Sequence, residues 1–184
     1  MRHEKLLAAE KCLLLVVDIQ EAFVGHISEL ERVIERSKIM IQAAKLLEMP
    51  IVVTEQYPKG LGHTLGPIRE ILGDCLYYDK VTFSCCQDDS IKKVLQNFNR
   101  SQVLIVGIET HVCILQTAYD LLAMHLQPYI AVDAVGSRRE SDRQVALQRL
   151  QQDSVTLTTT EAAIFELTGS AKHPAFKEIS NLVK

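Results

Sequence analysis

No stretch of this sequence approaches the roughly 20 apolar residues that a bilayer-spanning helix needs, so membrane insertion is not expected. No run of Lys or Arg interrupts a mild net charge of −3. Without such a run, neither nucleic acid nor an anionic membrane surface is an expected partner. The five cysteines are Cys12, Cys75, Cys85, Cys86 and Cys113, with no metal-finger spacing and no C-x-x-C pair. An odd set of this kind reads as free thiols in a reducing compartment. A cytoplasmic location is therefore expected, in the cytosol or an organelle matrix. The opening MRHEKLLAAEKC carries acidic residues and no long apolar core, and does not read as a secretory signal. There is no internal repeat, low-complexity tract or linker, so a single domain over residues 1–184 is expected.

What is present is an ordinary globular composition, 47% hydrophobic and 23% charged. Four short apolar runs read as buried strands: Cys12 to Val17, Ile51 to Thr54, Val103 to Val106 and Tyr129 to Val132. Their branched residues and lack of polar alternation fit a parallel sheet covered on both faces. Tyr77 to Val81 and Val155 to Thr158 are weaker candidates. Helical periodicity lies between them. It runs through Ile27, Leu30, Ile34, Ile41 and Ala44, through Ile91 to Phe98, through Ile114 to Leu122, and through Val145 to Leu150. Two short helices are expected near the end, over Glu161 to Leu167 and Phe176 to Val183. The segment Gln56 to Gly73, rich in Gly and Pro, reads as a long loop with one helical turn. This alternation predicts a three-layer α/β/α, Rossmann-like fold with an open, mostly parallel sheet.

Open sheets of this kind bind ligands beyond the carboxyl ends of their strands. Asp18 and Gln20 follow the first apolar run, and Gln56 and Tyr57 the second. Lys80 lies inside or at the end of a weaker one that Phe83 follows, and Glu109 to Cys113 follow the third. An acid, an ammonium and a thiol can thus meet at one mouth. Thr110 is a candidate cap for the next helix. That would put Cys113 in a first turn, where free N–H groups and the helix dipole lower a thiol's pKa. Taken singly, each residue has a plainer reading: Cys113 a buried structural thiol, Asp18 a cap, Lys80 a solvated strand end. His111 lies two positions from Cys113, and such neighbours on a helix do not face each other.

The segments DIQEAF, KVTFS and GIETHVCI, in this order and at these separations, resemble the isochorismatase-like cysteine hydrolases. EQYPKGLG, DAVGSR and the tail AKHPAFKEI extend the likeness over nearly the whole chain, toward the branch of isochorismatase-domain proteins and so-called MAR1 ribonucleases. The ribonuclease label finds no basic surface signal and no acid–base histidine pair here. The resemblance implies an Asp18–Lys80–Cys113 triad, in which Asp18 takes the thiol proton, Lys80 steadies charge and Cys113 attacks a carbonyl or nitrile-like carbon. It further implies a cis peptide between Ile108 and Glu109, with the Glu109 and Cys113 amides forming an oxyanion hole. Family nicotinamidases carry an Asp-x-His metal cluster after the second strand. Here that place reads Glu55, Gln56, Tyr57, so no metal and no cofactor are expected.

Expected pocket residues are Gln20 (also as a partner orienting Asp18), Phe23, Gln56, Tyr57, Leu61, Phe83 and Ile114. The leading expectation is a metal-independent hydrolase of a C–N bond in a small molecule. The alternatives are a catalytically silent binding protein, an isochorismatase-type vinyl-ether hydrolase, and a thiol-redox role for Cys85, Cys86 or Cys113. A homo-oligomer is expected by family likeness.

Overall fold

The structure is a computed structural model and describes residues 2–184. Six strands form one sheet: β1 (Cys12–Val17), β2 (Ile51–Gln56), β3 (Tyr77–Lys80), β4 (Gln102–Ile108), β5 (Gln127–Gly136) and β6 (Thr156–Thr158). Their order is β3-β2-β1-β4-β5-β6, and every pairing is parallel. The helices are α1 (Leu30–Leu46), α2 (Pro58–Leu61), α3 (Gly66–Leu72), α4 (Asp89–Asn97), α5 (Leu115–Ala123), α6 (Glu140–Gln152), α7 (Thr160–Thr168) and α8 (Phe176–Leu182). The expected α/β class and open parallel sheet are observed.

The layers follow from strand periodicity. Every residue of β1 is buried. Cys12, Leu14 and Val16 join one apolar cluster with residues of α1, α3, α7 and α8. Leu13, Leu15 and Val17 point the other way, into a cluster built with α4, α5 and α6. A strand buried on both faces needs no polar alternation, which is why CLLLVV is wholly apolar. At about 25 cal/mol per Å² of apolar surface removed from water, these two clusters supply the main driving force for folding. The chain is also punctuated by side-chain caps: Asp88 accepts from the Ser90 and Ile91 amides to start α4, satisfying donors that an uncapped helix leaves open.

Gln56 to Gly73 departs from the expectation of one long loop. It folds into α2 and α3, each with a proline in its first turn, where the missing N–H has no helical partner to lose. Strands β4 and β5 extend beyond their apolar cores, at Gln102 and Gln127 in one direction and Ile108 and Gly136 in the other. Backbone pairing rather than hydropathy carries them there.

Strand order reverses between β1 and β4, and the crevice there is where such sheets place ligands. Gly107 makes the close approach at this point. A Cβ on it would sit 2.1 Å from the Val17 carbonyl oxygen, and its φ is +118°. Only glycine fits both the space and the backbone. One residue further along β1, Asp18 also takes a left-handed conformation, φ 51°. Aspartate tolerates that conformation better than most residues do.

Candidate active site

Asp18, Lys80 and Cys113 come together at the carboxyl ends of β1, β3 and β4. The Lys80 ammonium donates to Asp18 Oδ2 at 2.7 Å and lies 3.6 Å from Cys113 Sγ. It also donates to Gln56 Oε1 at 2.6 Å and approaches the carbonyls of Thr82 and Phe83 at 3.2 Å each. Five acceptors around three N–H donors hold the nitrogen in place. Asp18 and Lys80 are buried, and Cys113 is 7% exposed. A buried charge pair is kept only when its geometry and extra hydrogen bonds offset desolvation, and both conditions are met here.

Thr54 orients the acid. Its hydroxyl donates to Asp18 Oδ1 at 2.7 Å, which leaves Oδ2 to the ammonium. Gln20 does not take the orienting role expected of it. Its side-chain amide donates to the carbonyls of Gln56 and Gly62 and accepts from the Gln56 amide. Gln20 therefore ties β2 to the turn beyond it and is itself fully buried. Sequence reading missed Thr54. The signal available was a hydroxyl at the end of the apolar run Ile51 to Thr54.

The turn carrying Cys113 also differs from expectation. The Ile114 amide donates to the Glu109 carbonyl five residues back, so residues 110–114 form a wide π-type turn and regular helix begins at Leu115. Thr110 is not a cap. Its hydroxyl reaches the Gly136 carbonyl at 3.0 Å. His111 pairs with Ser137 at 3.0 Å rather than with Cys113. These two contacts fasten the turn to the end of β5. The peptide joining Ile108 and Glu109 is cis.

The expected lowering of the Cys113 pKa is overturned. Burial pushes it up and the negative charge of nearby Asp18 pushes it further; Lys80 opposes both and is outweighed. Burial alone would lower the Lys80 pKa. Asp18 beside it, with smaller contributions from the nearby thiols, reverses this and holds it above the ordinary value. Cys113 therefore rests as a protonated thiol beside the Lys80 ammonium. Cys85 lies close to the same charges. Burial and Asp18, against Lys80, push it up to about 11.

A cleft of about 500 Å³ opens over Cys113, lined among others by Phe23, Gln56, Leu61, Phe83, Val112 and Arg138. Four of the expected pocket residues are there. Ile114 is not: it is fully buried in the core beneath α5. Tyr57 is half-exposed and faces a neighbouring cleft with Pro58 and Val81. Gln20 acts from behind, through Gln56. Arg138 and Val112 were not foreseen as lining residues.

The place of the nicotinamidase metal cluster is filled by a closed network. Glu55 accepts from the Thr64 amide and hydroxyl, both at 2.7 Å, and meets His63 Nδ1 at 2.9 Å. Burial raises its pKa, but the hydrogen bonds from Thr64 and His63 outweigh that and hold it below the ordinary value. Among the described residues, no three His, Cys, Asp or Glu side chains gather as metal ligands would.

An open parallel sheet that gathers an acid, an ammonium and a thiol at the carboxyl ends of its strands has the architecture of a hydrolase. Comparison with known proteins agrees. Residues 12–162 match the Isochorismatase domain family. Isochorismatase domain-containing protein 2 of Bos taurus is 44% identical over 177 residues, 94% of this chain and 82% of that one. The MAR1 ribonuclease structure from Caenorhabditis elegans superposes with a TM-score of 0.92 at 41% identity, covering 97% of this chain and 92% of that one. The YcaC gene product of Escherichia coli, described as an octameric hydrolase of unknown specificity, shares the fold at 18% identity. Its TM-score is 0.87, over 100% of this chain and 97% of that one. The chain belongs to the isochorismatase family, a family of hydrolases.

Proposed function

We propose that this chain is a metal-independent thiol hydrolase that cleaves the C–N bond of a small amide, with Asp18, Lys80 and Cys113 as its catalytic residues. The observation that carries the reading is the Lys80 ammonium, 2.7 Å from a buried carboxylate and 3.6 Å from the Cys113 sulfur that lines the cleft. In the first half-reaction Cys113 Sγ attacks the carbonyl carbon while its proton passes to Asp18. The negative charge on the carbonyl oxygen is held by the backbone amides of Glu109 and Cys113. Asp18 then returns the proton to the leaving nitrogen. The C–N bond breaks, the amine or ammonia departs, and a thioester remains on Cys113. In the second half Asp18 takes a proton from water, hydroxide adds to the thioester, and the acid leaves as the thiol is restored. Lys80 keeps the cluster's net charge balanced throughout.

The protonated resting thiol supports this order of events. A cysteine that gives up its proton only as it attacks needs a base close by, and Lys80 Nζ holds Asp18 Oδ2 at 2.7 Å and Cys113 Sγ at 3.6 Å on one nitrogen. Phe23, Leu61, Phe83 and Val112 make an apolar cleft suited to a compact acyl group. The apolar side chains of Val81 and Phe83, more than half exposed near this mouth, favour a homo-oligomer, and light scattering of the purified protein reads its size. The test of the reaction is ammonia release across a panel of small primary amides. The wild-type chain should turn over at least one, and Cys113→Ala should lose about 10⁴-fold or more of that rate. Equal rates in the two proteins refute the nucleophile; a panel without turnover, against a Cys113 that reacts with electrophiles, favours a binding protein on this fold.

A further inference from the structure

We propose that Arg138 is a specificity residue that docks a carboxylate on the substrate's far end, so that the preferred substrates are ω-amides of short dicarboxylic acids. This rests on Cys113 being the nucleophile. Arg138 lines the same cleft as Cys113. Its guanidinium is fixed on one edge: Nε donates to Glu109 Oε1 at 2.9 Å, and Nη2 donates to Oε2 at 3.0 Å. The Arg138 amide adds a third donor to Oε1 at 3.1 Å. Glu109 is buried and immediately follows β4, so the anchor is as rigid as the sheet.

That anchor uses only one edge of the guanidinium. Nη1 makes no hydrogen bond among the described residues, and the side chain is 61% exposed. Two N–H groups, one each on Nη1 and Nη2, form a planar fork free to receive a second carboxylate end-on. An arginine held this way has already lost its rotamer freedom, so little is left to lose when a ligand binds. The Glu109 carboxylate would repel an incoming anion, but three donors already satisfy it. Phe23, Leu61, Phe83 and Val112 share this cleft with Cys113 and Arg138, which fits a short methylene chain joining an amide at one end to a carboxylate at the other. Removing the far carboxylate leaves the fork with water only, and charge-assisted hydrogen bonds of this kind correspond to about 10- to 100-fold in binding.

The test is protection of Cys113 from iodoacetamide, read by mass spectrometry of the intact protein. Glutaramate, which carries the carboxylate, is compared with butanamide, which does not. Glutaramate should protect at about tenfold lower concentration or better. In Arg138→Gln, and to a lesser degree in Arg138→Lys, that ratio should collapse toward one, because lysine keeps the charge without the fork. A ratio near one in the wild type, or a ratio that survives in Arg138→Gln, overturns the proposal and leaves the thiol hydrolase standing. Failure of iodoacetamide to modify Cys113 in the unliganded protein removes the nucleophile and this inference with it.

Discussion

Two clefts of nearly equal volume open at opposite ends of one sheet, about 500 Å³ at the carboxyl end and about 540 Å³ at the amino end. Size does not distinguish them. At the amino end the buried polar group is Gln102, and each of its polar atoms is used to hold the chain's first residues. Its oxygen accepts from the Ala8 amide, and its nitrogen donates to the Leu6 carbonyl. Tyr129 reaches the Lys5 carbonyl beside it. The charged residues lining that cleft, Glu4, Lys5 and Lys11, lie exposed in solvent. At the carboxyl end two opposite charges are buried against each other and against a thiol. The contrast teaches that polar atoms at one end secure the chain's first residues, whereas those at the other gather paired charges around a thiol.

That comparison can be broken by mutation. Lys80→Met should give the largest effect. It leaves Asp18 buried and unpaired, costing about 3–5 kcal/mol, and hydrolysis should vanish. Adding Asp18→Asn should restore most of the stability in urea unfolding and none of the activity. A double variant no more stable than the single one would mean that the pair is needed for folding. Gln102→Ala comes next. It strips partners from the buried Ala8 amide and should cost about 1–3 kcal/mol, with the rate per folded molecule unchanged because Cys113 lies at the other end of the sheet. The smallest effect is alkaline. Burial pushes the Cys12 thiol up to about 12 from 9.0. Its folded-state pKa is raised, so its contribution is intact below pH 9 and is lost as pH rises toward 12. At pH 9 the loss is only about 0.4 kcal/mol, and Cys12→Ala should flatten the fall in unfolding free energy above that pH by one proton's slope.

The two ends also differ in how legible they were from sequence. Strand β1 could be read to the residue, because six apolar residues in a row admit few alternatives. Asp18, Lys80 and Cys113 could be named because the folding rule for open sheets sends attention to strand ends and because their motifs match a family. Orientation was not legible. Gln20 and Thr54 are both polar residues near the acid, and nothing in their order says which one turns toward it. The π-type turn hid likewise: Thr110 has the chemistry of a cap, but its hydroxyl is captured by Gly136, a residue 26 positions away. The protonation of Cys113 was misread for the same reason. A helix start lowers a thiol's pKa, and only the tertiary structure reveals that burial and the charge of nearby Asp18 outweigh it.

The central claim is that Asp18 keeps the Cys113 thiol protonated until it takes the proton itself. The most direct measurement is the rate of Cys113 alkylation by iodoacetamide as a function of pH, in the wild type and in Asp18→Asn. Removing the carboxylate should shift the profile toward lower pH, with alkylation at pH 8 about tenfold faster, the equivalent of one pKa unit, while amide hydrolysis is lost. A profile that stays in place, or moves to higher pH, contradicts the account.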